Sequence, residues 1–325
     1  MTVAERRLVI AGFDGSRRRF AGVSPASEAP APAILRFLAV CCARPVGSAP
    51  RAILPADDGG ACVKLYGLAL VKDEADVIGQ SLRHAMEFCD RIAVLDNGSS
   101  DDSFAVVEEI ASENPGRVLA WGVDPQPYHR GLRSLMYGEL SAELGEEDWF
   151  LQLDADEFLM EDPRPHLAAV GRRGFDQVAT WQAQFQFTDV DLARWEEGLD
   201  DRDLPIEQRR RHFVVDWREG RFFRNGPGRE WRGTTTNLPE WVTRAPHARL
   251  VNRHYQFRDP DQIQRRLEIR AAVRSEHAFT HVTDTEWRHH VVAASGLRIW
   301  HPGEALRPRP WRYYLRRARS MSGMG

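Results

Sequence analysis

The 325-residue chain is long enough for one large domain or two modest ones, and with 42% hydrophobic residues it can bury a sizeable core. A formal net charge of -3 gives no overall attraction for nucleic acid, so no nucleic-acid partner is expected. The four cysteines, Cys41, Cys42, Cys62 and Cys89, show no C-x-x-C spacing, which argues against a zinc site or a disulfide framework.

The opening "MTVAERRLVIAGFDG" does not read as a signal peptide, and the apolar stretch at 33–43 contains Arg36 and is too short to span a bilayer. A soluble, cytoplasmic protein is expected. Residues 1–62 read as an N-terminal extension of unknown role: a strand in "RRLVIAGF", a short helix near 33–43, and small, Pro-rich loops.

From residue 63 the texture changes. "CVKLYGLALV" is a strand. "DEADVIGQSLRHAMEF" carries Val77, Ile78, Leu82, Ala85, Met86 and Phe88 at helical spacing, with Asp73 as N-cap. "RIAVLD" is a second strand, "NGSS" a turn, and "DDSFAVVEEIA" a helix stopped by "NPG". "RVLAWGV" is a third strand, "GLRSLMYGELSAEL" a helix and "DWFLQLD" a fourth strand. Strands alternating with helices predict a mostly parallel α/β sheet, Rossmann-type, with helices on both faces. Ligands in such sheets bind beyond the carboxyl ends of the strands. Asp96 ends the second strand and Asp154 the fourth, so both should face one crevice.

"WFLQLDADEF" at 149–158 then pushes an apolar strand straight into three carboxylates. Two carboxylates at i and i+2 can turn toward one hard cation, magnesium or manganese, which takes its remaining ligands from water and phosphates. The competing reading is a plain strand-end cap. In "LDNGSSDDS", Gly98 allows a sharp turn, while Ser99, Ser100 and Asp101 can cap the next helix and leave Asp96 free to accept hydrogen bonds from a base or ribose.

The three stretches "LALVKDEADVIGQSLRH", "DRIAVLDNGSSDDS" and "WFLQLDADEF", in this order, resemble the GT-A glycosyltransferases of family 2, and most of all the bacterial branch whose acidic motif runs D-x-D-E-F. The resemblance covers about residues 63–170, with a weaker echo in "FQFTDVDLARWEEG", "RFFRNGPGREW" and "RHYQFRDPDQIQRRLEIR". It implies a GT-A domain over 63–260 and a helical, basic region over 261–325. It implies a metal-dependent transferase that moves a sugar from a nucleotide-sugar, expected to be a UDP-sugar, to an acceptor hydroxyl, with inversion.

On this resemblance Asp96, with Asn97, Ser99 and Lys72, takes the nucleoside side, and Asp154 and Asp156 hold Mn2+ or Mg2+ and the diphosphate. His254 in "NRHYQF" completes the metal site, unless it packs as a plain histidine beside Tyr255 and Phe257. Arg133 approaches the donor phosphates, unless it lies on a solvated helix face. A general base is needed to take the acceptor's proton. Asp189 is preferred because it and Asp191 end the strand-like "TWQAQFQFTDVD"; Asp191 and Glu157 are its competitors.

The acceptor is left open among glycans, lipid-linked molecules, peptides and small molecules. "RPRPWRYYLRRARS" at 307–320 is a solvated tail or a peripheral contact with an anionic membrane. Two rivals remain. A nucleotidyltransferase would also use paired Asp and a metal, but "LVKDEAD" is acidic where a triphosphate loop should be basic. A non-catalytic nucleotide-sugar-binding protein would have less use for both Asp154 and Asp156.

Overall fold

A computed structural model describes residues 63–129, 131–232, 238–272 and 283–308. The strand and helix expected within 1–62 lie outside these residues, as do Cys41, Cys42, Cys62 and nearly all of the basic stretch at 307–320.

Four strands come first: β1 (Leu65–Val71), β2 (Arg91–Asp96), β3 (Val118–Val123) and β4 (Trp149–Asp154). They are parallel, in the order β3-β2-β1-β4. Three helices connect them: α1 (Ile78–Ala85), α2 (Ser103–Glu113) and α3 (Leu132–Leu140). Strand periodicity sorts the core. Leu65, Ala69 and Val71, with Ile92, Val94, Trp149 and Leu151, pack against Ile78 and Leu82 of α1 and Val107 and Ile110 of α2. The intervening Tyr66, Leu68, Ala93, Leu95 and Phe150 pack against Leu132, Met136 and Tyr137 of α3 on the other face. This is the expected α/β class with helices on both faces.

α1 starts later than the sequence suggests. Asp73 is not its N-cap: it holds a left-handed φ of 53°, and its Oδ1 accepts bonds from Ser100 N (2.5 Å) and Oγ (3.0 Å) in the neighbouring loop. The first turn closes instead on the Glu74 carbonyl, which accepts from Val77 N at 3.0 Å and Ile78 N at 2.9 Å.

Beyond β4 the sheet becomes mixed. β5 (Glu157–Leu159), β6 (Gln177–Phe185), β7 (His212–Arg224) and β8 (Val251–His254) extend it in the order β4-β7-β6-β8-β5. β7 runs antiparallel to both β4 and β6. Two bulges interrupt β7: Val178 opposes Phe222 but Ala179 opposes Gly220, which leaves Arg221 as an extra residue, and Gln182 opposes Trp217 but Ala183 opposes Val215, which leaves residue 216 as another. The slip at Arg221 lets Phe222 pack in the core while Glu219 and Trp217 share its face. β8 lies between β6 and β5 and sets His254 opposite Glu157. The sheet also continues past residue 260, where the sequence suggested a boundary, because β9 (Arg298–Ile299) pairs with the start of β7.

α4 (Arg164–Gly171), α5 (Asp189–Glu196), α6 (Ile206–Arg209) and α7 (Pro260–Ala272) complete the described helices. Among the described residues no helix is long and apolar enough to cross a membrane.

An ion cluster fastens the turn between α5 and β7. Asp200 receives Arg209 at 2.9 Å and Arg210 at 2.5 Å, all three side chains being nearly buried. Burial opposes ionisation of Asp200, but the two guanidiniums win and hold its carboxyl down at about 2. A carboxyl depressed in the folded state stabilises above its unfolded pKa of about 3.9, and that stability is lost as pH falls toward 2. Asp200→Asn should therefore lower the urea midpoint at pH 7, with the deficit against the parent shrinking as pH falls from 4 to 3. A deficit of constant size across that range would refute the role of the ion cluster.

Candidate active site

The carboxyl ends of β2 and β4 flank that of β1: Val71 is in register with Asp96, and Leu70 with Asp154. Asp96 is buried. Its Oδ1 accepts from Ser99 N at 2.6 Å, and its Oδ2 is a buried acceptor with no partner among the described residues. Its neighbours are occupied with shaping the loop. Asn97 Nδ2 donates to the carbonyls of Asp124 (2.8 Å) and Gln126 (2.7 Å), and Lys72 Nζ donates to the Gly98 carbonyl. Ser99 Oγ accepts from Asp73 N at 2.9 Å. Gly98 has a φ of 74°, and a Cβ there would lie 3.0 Å from Pro125 Cα, so the turn requires glycine. Asp96 Oδ2 is thus a buried oxygen left open at the end of β2 among the described residues.

The acidic cluster is met by guanidiniums. Asp154 pairs through Oδ1 with Arg133 from α3 and through Oδ2 with Arg221 at 2.8 Å. Burial opposes its ionisation, and Arg221 and Arg133 overcome it, so the carboxyl titrates below its usual range. Arg133, anchored on the carbonyls of Leu68 and Leu153, is thus buried beside the acidic cluster and not on a solvated face. Asp156 Oδ2 lies 3.3 Å from His254 Nε2 and 3.2 Å from an Arg266 nitrogen on α7. There too burial is outweighed, by His254 and Arg266, and the carboxyl is held well below its usual range. His254 reaches Asp156 because β8 pairs with β5, with Tyr255 N donating to the Asp156 carbonyl at 2.9 Å.

The general-base candidates separate. Glu157 is buried, with Oε1 on Arg221 and Oε2 accepting from Asn252 Nδ2 at 2.5 Å. Burial lifts its carboxyl well above the usual range, against the pull of Arg221. Asp189 and Asp191 do not end a strand: β6 stops at Phe185, and both acids lie in the first turn of α5. Asp191 closes a capping box with Thr188, accepting from Thr188 N at 2.9 Å and Oγ1 at 2.6 Å. Asp189 is exposed, and its Oδ1 accepts from Val190 N and Ala294 N. Neither acid shares a hydrogen bond or ion pair with Asp154 or Asp156 among the described residues.

Sequence reasoning missed Arg221, Arg258, Arg266 and Glu74. Arg258 is fully buried and paired with Glu74 and, at 2.6 Å, with Asp76. Arg266 bridges Glu74 (3.1 Å) to Asp156. Burial pushes the Glu74 carboxyl up to about 7 despite the opposing pull of Arg258. The "DEAD" turn after β1 is therefore tied to α7 and to the acidic cluster. Arg221 Nε, Arg266 Nε and His254 Nδ1 are buried with no partner among the described residues. All three belong to side chains paired with Asp154 or Asp156.

Among the described residues no three His, Cys, Asp or Glu side chains are arranged to hold a metal ion. The pair Asp156 Oδ2 and His254 Nε2 nevertheless fits a cation that takes its other ligands from phosphate and water, since two ligands each about 2.1 Å from an ion stand about 3 Å apart. Asp154, with both oxygens on guanidiniums, fits that role less well.

No protein-family model and no curated protein matches the chain. Among solved structures it is similar to a mannosyltransferase from Pyrobaculum calidifontis in complex with GDP-Man and Mn2+, at 15% identity and a TM-score of 0.35, over 66% of this chain and 65% of that one. It is also similar to GalNAc-T7 with UDP, GalNAc and Mn2+, at 16% identity and a TM-score of 0.31, over 40% and 24%. A third is glucosyl-3-phosphoglycerate synthase from Mycobacterium tuberculosis with Mn2+, UDP and glucosyl-3-phosphoglycerate, at 19% identity and a TM-score of 0.23, over 41% and 47%. The chain spans less than two thirds of each of these proteins. Likeness at that level bears on neither activity nor substrate.

Removing one partner of a buried ion pair leaves an uncompensated charge, at a cost of about 3–5 kcal/mol. Arg258→Ala, which strands Glu74 and Asp76, should lower unfolding stability by about that amount in urea titrations at pH 8. A loss below about 1 kcal/mol would show that the network does not hold the "DEAD" turn to α7.

Proposed function

We propose that the chain is a glycosyltransferase of the GT-A family 2 type, which takes a sugar from a nucleotide-sugar and passes it to an acceptor hydroxyl. The observation that carries this reading is the buried Oδ2 of Asp96 at the end of β2, without a partner among the described residues and separated only by β1 from the charged cluster at the end of β4. A buried acceptor of that kind calls for a donor from a ligand, as the hydroxyls of a ribose or the N–H of a base would supply. Arg221 Nε and Arg266 Nε, without partners among the described residues and close to Asp154 and Asp156, suit an anionic group such as a diphosphate.

Within this reading Asp156 and His254 hold a divalent ion, manganese or magnesium. When bound, the ion supplies positive charge where the diphosphate gains negative charge as it departs. Asp154 orients Arg133 and Arg221, and Glu157 orients Arg221 from its other side. Asn97, Ser99 and Lys72 keep the loop around Asp96 in shape. A UDP-sugar donor and an inverting displacement are the finer expectations. A nucleotidyltransferase is disfavoured because Asp73, Glu74 and Asp76 occupy the loop after β1 where a triphosphate would need positive charge. A scaffold protein would have little reason to keep Asp156 and His254 in contact.

Calorimetry with UDP, with and without Mn2+, tests the reading. The parent should bind more tightly when Mn2+ is present. Asp156→Asn and His254→Ala should each lose most of that increment, about tenfold or more. Asp96→Ala should weaken binding about tenfold or more in both conditions, because a hydrogen bond to a charged acceptor contributes about 1.5–3 kcal/mol. If neither UDP nor GDP binds the parent in the presence of Mn2+, the donor reading fails.

A further inference from the structure

We propose that Trp217 and Glu219, on the regular stretch of β7 between its two bulges, form an acceptor subsite for a sugar ring, with Trp217 as the stacking wall and Glu219 receiving the reacting hydroxyl. The proposal deepens the transferase reading and rests on it for the chemical step. The two residues sit two apart on a regular stretch, where Thr180 opposes Glu219 and Gln182 opposes Trp217, so both side chains lie on one face of the sheet. Trp217 is 54% exposed, the largest side chain among the exposed hydrophobic residues described. An indole left in water on a strand has no packing reason to be there, whereas its flat apolar surface matches the C–H face of a sugar.

The surroundings are those of a polyol site. Gln182 and Asn252, cross-strand neighbours of each other, are buried, and each carries a side-chain carbonyl oxygen without a partner among the described residues. Asn252 and His254 share this face, and Gln256 donates to Gln184 at 3.1 Å beside them. The amide groups on this face offer several hydrogen-bond donors and acceptors, which suits the hydroxyl groups of a sugar.

Glu219 differs from the acids considered above. Its Oε2 receives Arg221 at 3.2 Å, its Oε1 has no partner among the described residues, and its side chain is about one-third exposed. Arg221 joins it directly to Asp154 and Glu157, so this open carboxylate belongs to the charged cluster while facing outward. In the transfer, the acceptor O–H proton passes to a Glu219 oxygen as the acceptor oxygen bonds to the anomeric carbon. The bond from that carbon to the diphosphate oxygen breaks, and its electron pair leaves with the diphosphate.

Saturation-transfer NMR on the full chain, with UDP and MnCl2 present, tests the subsite with methyl α-D-mannopyranoside, methyl β-D-glucopyranoside and methyl β-D-galactopyranoside as probes. At least one glycoside should receive saturation on its ring C–H protons. Trp217→Ala should weaken its binding about three- to tenfold, and Glu219→Ala should weaken it about fivefold or more. Both side chains are at the surface, so melting temperatures close to the parent's confirm that the variants fold. If the parent binds none of the three, or Trp217→Ala binds as the parent does, the subsite is refuted. Unchanged affinity in Glu219→Ala removes this carboxylate from the acceptor hydroxyl and with it the proton transfer. UDP calorimetry on the same parent sample separates the two readings: glycoside binding without UDP binding overturns the donor assignment and keeps the subsite, while UDP binding without glycoside binding does the reverse.

Discussion

A carboxylate cannot leave an apolar strand into a water-poor crevice unless positive charge meets it there. The architecture around the end of β4 satisfies that demand with Arg133 from α3, Arg221 from a bulge in β7, His254 from β8 and Arg266 from α7. Each cation comes from a different element. The acidic motif therefore serves as the point at which the parallel half of the sheet, the antiparallel half and the C-terminal helix are fastened together. The bulge that frees Arg221 from the regular pleat, and the pairing of β8 with β5 immediately after the motif, are the backbone features that make this meeting possible.

Satisfying the charges also sorts the acids by role. Asp154 and Glu157 have a partner on each carboxylate oxygen. Asp156 touches a histidine and a single guanidinium, and no bond to its Oδ1 is found among the described residues, so it retains capacity for a cation. Asp96 and Glu219 each keep an oxygen without a partner among the described residues, one at the end of β2 and one on the outward lip of β7. Under the proposed transfer, these two places on either side of a neutralised cluster would take the two substrates.

The parallel half of the fold was legible because its physics is local. Uninterrupted apolar strands, amphipathic helices and the NGSS and NPG turns each announce themselves, and the rule that ligands gather at strand ends places Asp96 and Asp154 together from the sequence alone. The antiparallel half was not legible in this way. β7, "HFVVDWREGRFFR", is studded with charge and broken in its alternation by the bulges, so neither its length nor the inward aim of Arg221 follows from periodicity. In a chain whose basic residues are nearly all arginine, Arg221, Arg258 and Arg266 carry no distinguishing mark. One signal was available and overlooked: Thr188 followed three residues later by Asp191 is a helix-start pattern, and it would have moved Asp189 and Asp191 from a strand end onto the first turn of α5. Asp73, by contrast, looked like a cap and instead holds the adjacent loop from a left-handed conformation, a long-range use that no local rule anticipates.

The central claim is that a cation held by Asp156 and His254 and a nucleoside held by Asp96 share one crevice. Anomalous diffraction at the manganese edge, from crystals soaked with UDP and MnCl2, tests it most directly. The account predicts one strong manganese peak about 2.1 Å from both the Asp156 carboxylate and His254 Nε2, with Asp154 still bridged by Arg133 and Arg221 and the uridine within hydrogen-bond distance of Asp96 Oδ2. A peak on Asp154 with its arginines displaced, or a uridine lodged away from Asp96, would contradict it.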